Sequence, residues 1–193
     1  MKRNIRTILR LIVIVALLPS LMMVTRSQTT FAASSDPQAF VNMTEEQRAQ
    51  AAKNMTQNEK EMIMNKFSKQ NATVNESMNE TKMTNDTMTL MGNFVEAGDG
   101  FHKAEGIAKV INLADGRTFL RLENLKTTNG PDLYVYLSIG KDTSDIFNLG
   151  RLKGNIGNQN YEIPAGADLS KYNTVLIWCK AFSTLFGSAK LSS

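Results

Sequence analysis

The chain has 193 residues, 42% hydrophobic and 21% charged, with a formal net charge of +4, one Cys and one His. One Cys excludes an internal disulfide, a CxxC redox pair and a cysteine-held iron–sulfur cluster, and one His excludes the two-His zinc sites. Lys2, Arg3, Arg6, Arg10 and Arg26 all precede the first acidic residue, so the remainder carries −1, and nucleic-acid binding loses its electrostatic support.

Residues 1–32 read as a secretory signal peptide. Lys2, Arg3, Arg6 and Arg10 form the basic start, Leu11 to Val24 the apolar stretch, and Thr30-Phe31-Ala32-Ala33 offers small residues for cleavage after Ala32. A membrane-spanning helix needs about 20 apolar residues, and this run is shorter and broken by Pro19 and Ser20. The alternative is an uncleaved anchor, which would touch the membrane through this segment alone. Either way the chain is expected outside the cytoplasm, secreted or at the cell surface.

Composition changes near residue 91. Met43, Met55, Met62, Met64, Met78, Met83, Met88 and Met91 fall between 33 and 91, and no Met follows. Phe40 and Phe67 are the aromatics of that stretch, too few to build a core of its own. Thr44 followed by Glu45, Glu46 and Gln47 is a capping-box start, and the spacing predicts a marginal helix over 44–67 that docks or self-associates. Ala51, Ala52, Met55, Met62, Ile63 and Phe67 give it a narrow apolar stripe.

Residues 68–89 form an Asn/Thr-rich linker. Asn-X-Ser/Thr acceptors occur at Asn42, Asn54, Asn71, Asn75, Asn79 and Asn85, the pattern of a glycosylated stalk; a solvated linker that merely matches is the bland alternative. Thioether ligation of Cu(I) by the Met residues lacks a nearby His or Cys, so a 33–91 fragment is expected to bind none stoichiometrically.

From Gly92 the chain alternates short β-rich runs with turns. Strands are predicted at Ile107–Leu113, then, past the Asp115-Gly116 turn, at Thr118–Leu122 and Leu133–Leu137. Tyr161–Pro164 reads as an edge-type strand, residues 168–173 as one helical turn, Thr174–Cys179 as a central strand, and Phe182–Leu191 as the last strand with a bend at Gly187. About seven or eight short strands in such a span predict an all-β fold, an antiparallel β-sandwich over 92–191.

Enzyme motifs are absent, and Cys179 and His102 remain as candidate chemistry. Two readings of Cys179 stand open: a small buried hydrophobe, or an odd exported cysteine available for redox reaction or an intermolecular disulfide. Lys180 should point to the opposite face of its strand and leave the thiol unactivated. His102 matters chemically only if the fold brings it to Cys179, as the base for a thiolate or the second ligand of a metal.

The C-terminal half resembles the DM13 domain. The resemblance rests on Gly92-Asn93-Phe94, Phe101-His102, Arg121-Leu122-Glu123-Asn124-Leu125 and Asn129 to Leu137. It continues through Leu149 to Gly157, Gln159 to Pro164, Val175-Leu176-Ile177-Trp178-Cys179, and Phe186-Gly187. It implies a small extracellular β-sandwich acting in electron transfer or oxidative modification. Cys179 would serve as a naked thiol or as a ligand to a prosthetic group such as haem, and His102 falls where the family usually has a histidine. No CxxCH is present, so haem would be held non-covalently. The expectation is an extracytoplasmic redox or electron-transfer module with a cell-surface redox partner; the alternative is a non-catalytic binding or matrix module with a structural cysteine.

Overall fold

In the computed structural model, residues 36–78 and 90–193 are described. The export-signal segment and the acceptors Asn79 and Asn85 lie outside them. The first described elements are three helices, α1 (Pro37–Asn42), α2 (Glu45–Asn54) and α3 (Gln57–Ser68). Thr44 closes the expected capping box with Gln47, and Thr56 closes a second one with Glu59. That second start signal splits the single predicted helix, because Met55 before it takes an extended backbone and ends α2. The apolar stripe then becomes a small core of Phe40, Met43, Ala51, Met55, Ile63 and Phe67, packed against Ala181 and Phe182. The segment docks by burying that stripe. Among the described residues, no helix is long and apolar enough to cross a membrane.

Among the described residues nine strands follow: β1 (Thr73–Asn75), β2 (Met91–Glu96), β3 (Ala104–Asn112), β4 (Thr118–Thr127), β5 (Leu133–Ser138), β6 (Ile146–Arg151), β7 (Ile156–Ile163), β8 (Thr174–Cys179) and β9 (Thr184–Lys190). They form one curled sheet in the order β1-β7-β4-β3-β2-β9-β8-β5-β6. The all-β expectation is met. The curl comes from β2, whose Met91–Asn93 pair with β3 while Phe94–Glu96 pair with β9, so one strand serves both halves.

Facing residues of the two halves share one core. Leu120, Leu122, Val110 and Tyr161 come from one side, and Val135, Val175, Ile177, Cys179 and Phe186 from the other. The outer face of β5 and β8 carries a second cluster of Tyr134, Tyr136 and Leu176 with Trp178 and Leu185 against it. β8 is thus covered on both faces, as its unbroken apolar run requires. Its partner β9 bends where the register shifts opposite Ile177 and Trp178. Gly187 sits there because a Cβ would lie 2.2 Å from the Cβ of Ala104.

Two strands depart from the sequence pattern. β6 spans Asn148-Leu149-Gly150, outside the strands predicted from the sequence, and accommodates them through a bulge opposite Val135 and Tyr136. β1 comes from the Asn/Thr-rich linker and adds to β7 in the parallel sense, the one parallel pair among the described strands. Asn155 accepts the Ala72 N–H through its side chain (2.6 Å), and Asn158 N–H donates to Asn75 Oδ1 (3.2 Å). The polar composition that hides a strand from hydropathy thus supplies its bonds.

Candidate functional site

Cys179 ends β8 with its side chain in the main core, and its exposure is 0%. Burial pushes the thiol up to about 12 from an ordinary 9.0, against the opposing pull of the Phe182 amide, and the Asp132 charge adds to the rise. Lys180 turns to the outer face, where it pairs with Glu45 and lies 5.4 Å from the centre of the Tyr134 ring. It leaves the thiol alone, as the strand alternation requires. The sulfur is therefore a neutral thiol in this conformation, with no exposed path for a second chain's sulfur.

His102 sits in the loop between β2 and β3, also buried. Asp99 builds the position: its carboxylate accepts the backbone N–H groups of Phe101 (3.0 Å) and His102 (2.8 Å) and contacts the ring Nδ1 at 2.5 Å. Burial works against the charge on Asp99, yet those bonds hold its carboxyl down at about 2. The imidazole is gripped between Phe101, edge-on at 4.9 Å, and Phe186 of β9, at 4.2 Å. Its other nitrogen, Nε2, is buried and has no hydrogen-bond partner among the described residues.

That ring lines a cavity of about 490 Å³ between α3, the 99–102 loop and the β8–β9 turn. Glu61 and Met64 of α3 form one wall, Phe101 and His102 another, and Phe182 and Thr184 a third. Cys179 does not line it. Two of its neighbours do: Thr184 is its partner in the β8–β9 ladder, and Phe182 is the residue whose amide acts on its sulfur. The two residues singled out from the sequence are thus linked through Thr184 and Phe182, and only His102 borders the cavity. Haem ligation by Cys179 does not fit this arrangement, since the sulfur is sealed and does not line the cavity that His102 borders.

Sequence reasoning did not find Arg48 and Asp132. Arg48 of α2 lies 2.9 Å from Asp132 before β5, with 4% and 1% of the two side chains exposed, and Arg151 approaches Asp132 at 3.3 Å. The contact is close but out of line for a hydrogen bond. Arg48 Nη1 donates instead to the Met43 carbonyl, and Tyr134 donates its hydroxyl proton to Glu45 (2.9 Å). These polar contacts fasten α2 over the end of β8. A signal for them in the sequence would have had to link residues far apart in the chain. Among the described residues, no group of three His, Cys, Asp or Glu side chains could hold a metal ion.

The sheet from β2 onward is an electron-transfer domain. A family model described as Electron transfer DM13 matches residues 94–191, half of the chain, and the chain belongs to the DM13 family. The match begins at Phe94, the residue at which β2 passes from one half of the sheet to the other. A redox or electron-transfer role follows at that level. No curated protein matches the chain, and no solved structure does.

Proposed function

We propose that this chain is an extracytoplasmic electron-transfer module, secreted or held at the cell surface, that works with a redox partner protein through Cys179. The observation that carries the reading is the position of its one cysteine, on an interior strand of an electron-transfer domain with no second cysteine to pair with. Support for an exterior location comes from the basic-then-apolar start at residues 1–32 and from acceptors Asn42, Asn54, Asn71 and Asn75, all exposed. A rigid strand holds the sulfur with little reorganisation.

A thiol pushed from 9.0 to about 12 carries about a thousandfold less thiolate near neutral pH. Reaction therefore requires the cover over the β8–β9 turn, Phe182 packed on Phe40 at 5.3 Å, to lift. The exposed thiolate then attacks a partner disulfide, forms a mixed disulfide and releases the partner's second sulfur as a thiol. The rival is a non-catalytic surface module in which Cys179 only fills space, and its 0% exposure is what favours that reading.

Redox titration of the full chain isolated from its own host, alongside Cys179→Ser and Cys179→Ala, separates the two. A couple present in the wild type and lost in both folded variants supports the module. A couple retained in both variants, or a wild type with none, leaves a structural cysteine whose replacement costs about 1–2 kcal/mol.

A further inference from the structure

We propose that α1–α3 form a clasp over the β8–β9 turn, latched by Glu45 and Arg48, which lifts as one piece to admit a partner to Cys179 while the sheet stays folded. The inference deepens the electron-transfer reading and rests on it for the need to reach the sulfur. Its test reads access alone, so either can fail without the other.

The clasp covers the turn that seals the sulfur. The amides of Ala181 and Phe182 point at Cys179 from that turn, and the Asp132 amide does so from the approach to β5. Ala181 and Phe182 pack on their other side against the helical cluster around Phe40, Ile63 and Phe67. That cluster also binds the three helices to one another, which makes them a single moving piece.

Side chains hold this piece to the sheet. Among the described residues, no backbone hydrogen bond joins residues 36–68 to the strands, whereas neighbouring strands are tied by ladders. The helices can therefore part from the sheet without breaking a ladder. Met64 of α3 adds an apolar peg in the sheet's core, which lifting withdraws. Past α3 the chain runs into β1, whose pairing with β7 tethers the piece at one end. The family match begins at Phe94, beyond the helices, which marks them as separate from the domain they cover.

Two side chains of α2 supply the polar latch. Glu45 accepts a hydrogen bond from the Tyr134 hydroxyl (2.9 Å) and pairs with Lys180, and Arg48 lies 2.9 Å from Asp132. All three sheet-side residues flank the sulfur. Lys180 follows Cys179 and donates its amide to the Asp132 carbonyl (3.0 Å), and Tyr134 pairs with Trp178 one residue before it. The Glu45–Lys180 pair is 43% and 39% exposed, so water screens it and it gives way readily. The Arg48–Asp132 pair is dry, and lifting returns both charges to water.

The test is labelling of the full chain with N-ethylmaleimide, read by mass, from zero urea to just below the global unfolding transition. Cys179 is the one thiol, so every mass shift reports it. The wild-type rate should rise less steeply with urea than global unfolding does, because lifting the clasp exposes less surface than unfolding the chain. Glu45→Gln should label at least threefold faster, and Arg48→Met at least tenfold faster. Val110→Ala opens a cavity in the sheet's core, which weakens the closed and lifted forms alike, so its rate should stay within about twofold of the wild type. Labelling confined to global unfolding, a latch variant that labels no faster than the wild type, or a Val110→Ala rate raised as far as that of Arg48→Met would overturn the clasp. A redox couple without labelling of the folded chain overturns the clasp and leaves the electron-transfer reading standing; labelling without a couple does the reverse.

Discussion

Replacing Arg48 by Met keeps an apolar stem in place and removes the charge nearest Asp132. The carboxylate, 1% exposed, would then face Arg151 alone, at 3.3 Å. Burial already raises the Asp132 carboxyl above its ordinary range, in spite of the two guanidinium groups that oppose the shift. Stripping one partner from a buried pair costs about 3–5 kcal/mol, and the remaining Arg151 places this case near the lower figure, about 3 kcal/mol. Urea unfolding followed by Trp178 fluorescence reads it directly. The sign of the pH dependence is fixed by the same raised carboxyl. A native state that holds its proton longer than the unfolded chain loses stability as pH rises from the unfolded value, 3.8, through the folded one. The deficit of Arg48→Met should therefore shrink as pH is lowered toward 4. Adding Asp132→Asn should recover most of it, because a neutral amide leaves no charge stranded. A single-variant loss below about 1 kcal/mol at pH 7, or a double variant less stable than the single, would refute the reasoning.

Asp99→Asn should remove about 1 kcal/mol near neutral pH, a value already discounted because 45% of the Asp99 side chain is exposed. The folded carboxyl is depressed from 3.8 to about 2, so its contribution exists above 3.8 and fades as pH falls toward 2. A wild-type advantage in melting temperature that persists at pH 2 would contradict this. Gly157→Ala should detach β1, since Gly157 has φ of +110° and its Cβ would lie 2.1 Å from the Val74 carbonyl oxygen. Hydrogen exchange should accelerate at the amides of Glu76 and Ile156, which bond to Asn158 and Ala72, while β8 stays protected.

The sheet was legible wherever hydropathy and turn chemistry coincide. Val175–Cys179 announces a strand covered on both faces, and Asp115-Gly116 announces the β3–β4 hairpin. β1 and β6 were not legible, because β1 is three residues of a mostly polar linker and Asn148 and Gly150 interrupt the apolar run of β6; their pairing uses Asn side chains and a bulge. Thr56 did carry the signal that divides α2 from α3, a second Thr-x-x-Glu inside a run that looks continuous. Of the site, Cys179 and His102 stood out as single residues of their type. Their surroundings did not: Asp99, Met64, Arg48 and Asp132 acquire meaning only when distant segments meet. The burial of Cys179 was one of two readings left open by the residues, and it depends on Phe182 and the helices above it.

The three residues of β1 lie along the flank of β7, between Ile156 and Asn158. An uncovered flank there would offer amides and carbonyls to any passing chain, the usual starting point of runaway polymerisation. By spending a piece of its own polar linker on that position, the molecule ends the sheet there in a strand of only three residues, a short edge that gives another chain little to pair with. Loosening the linker would therefore do more than cost stability. It would create a sticky terminus on which copies of the same chain could stack into filaments.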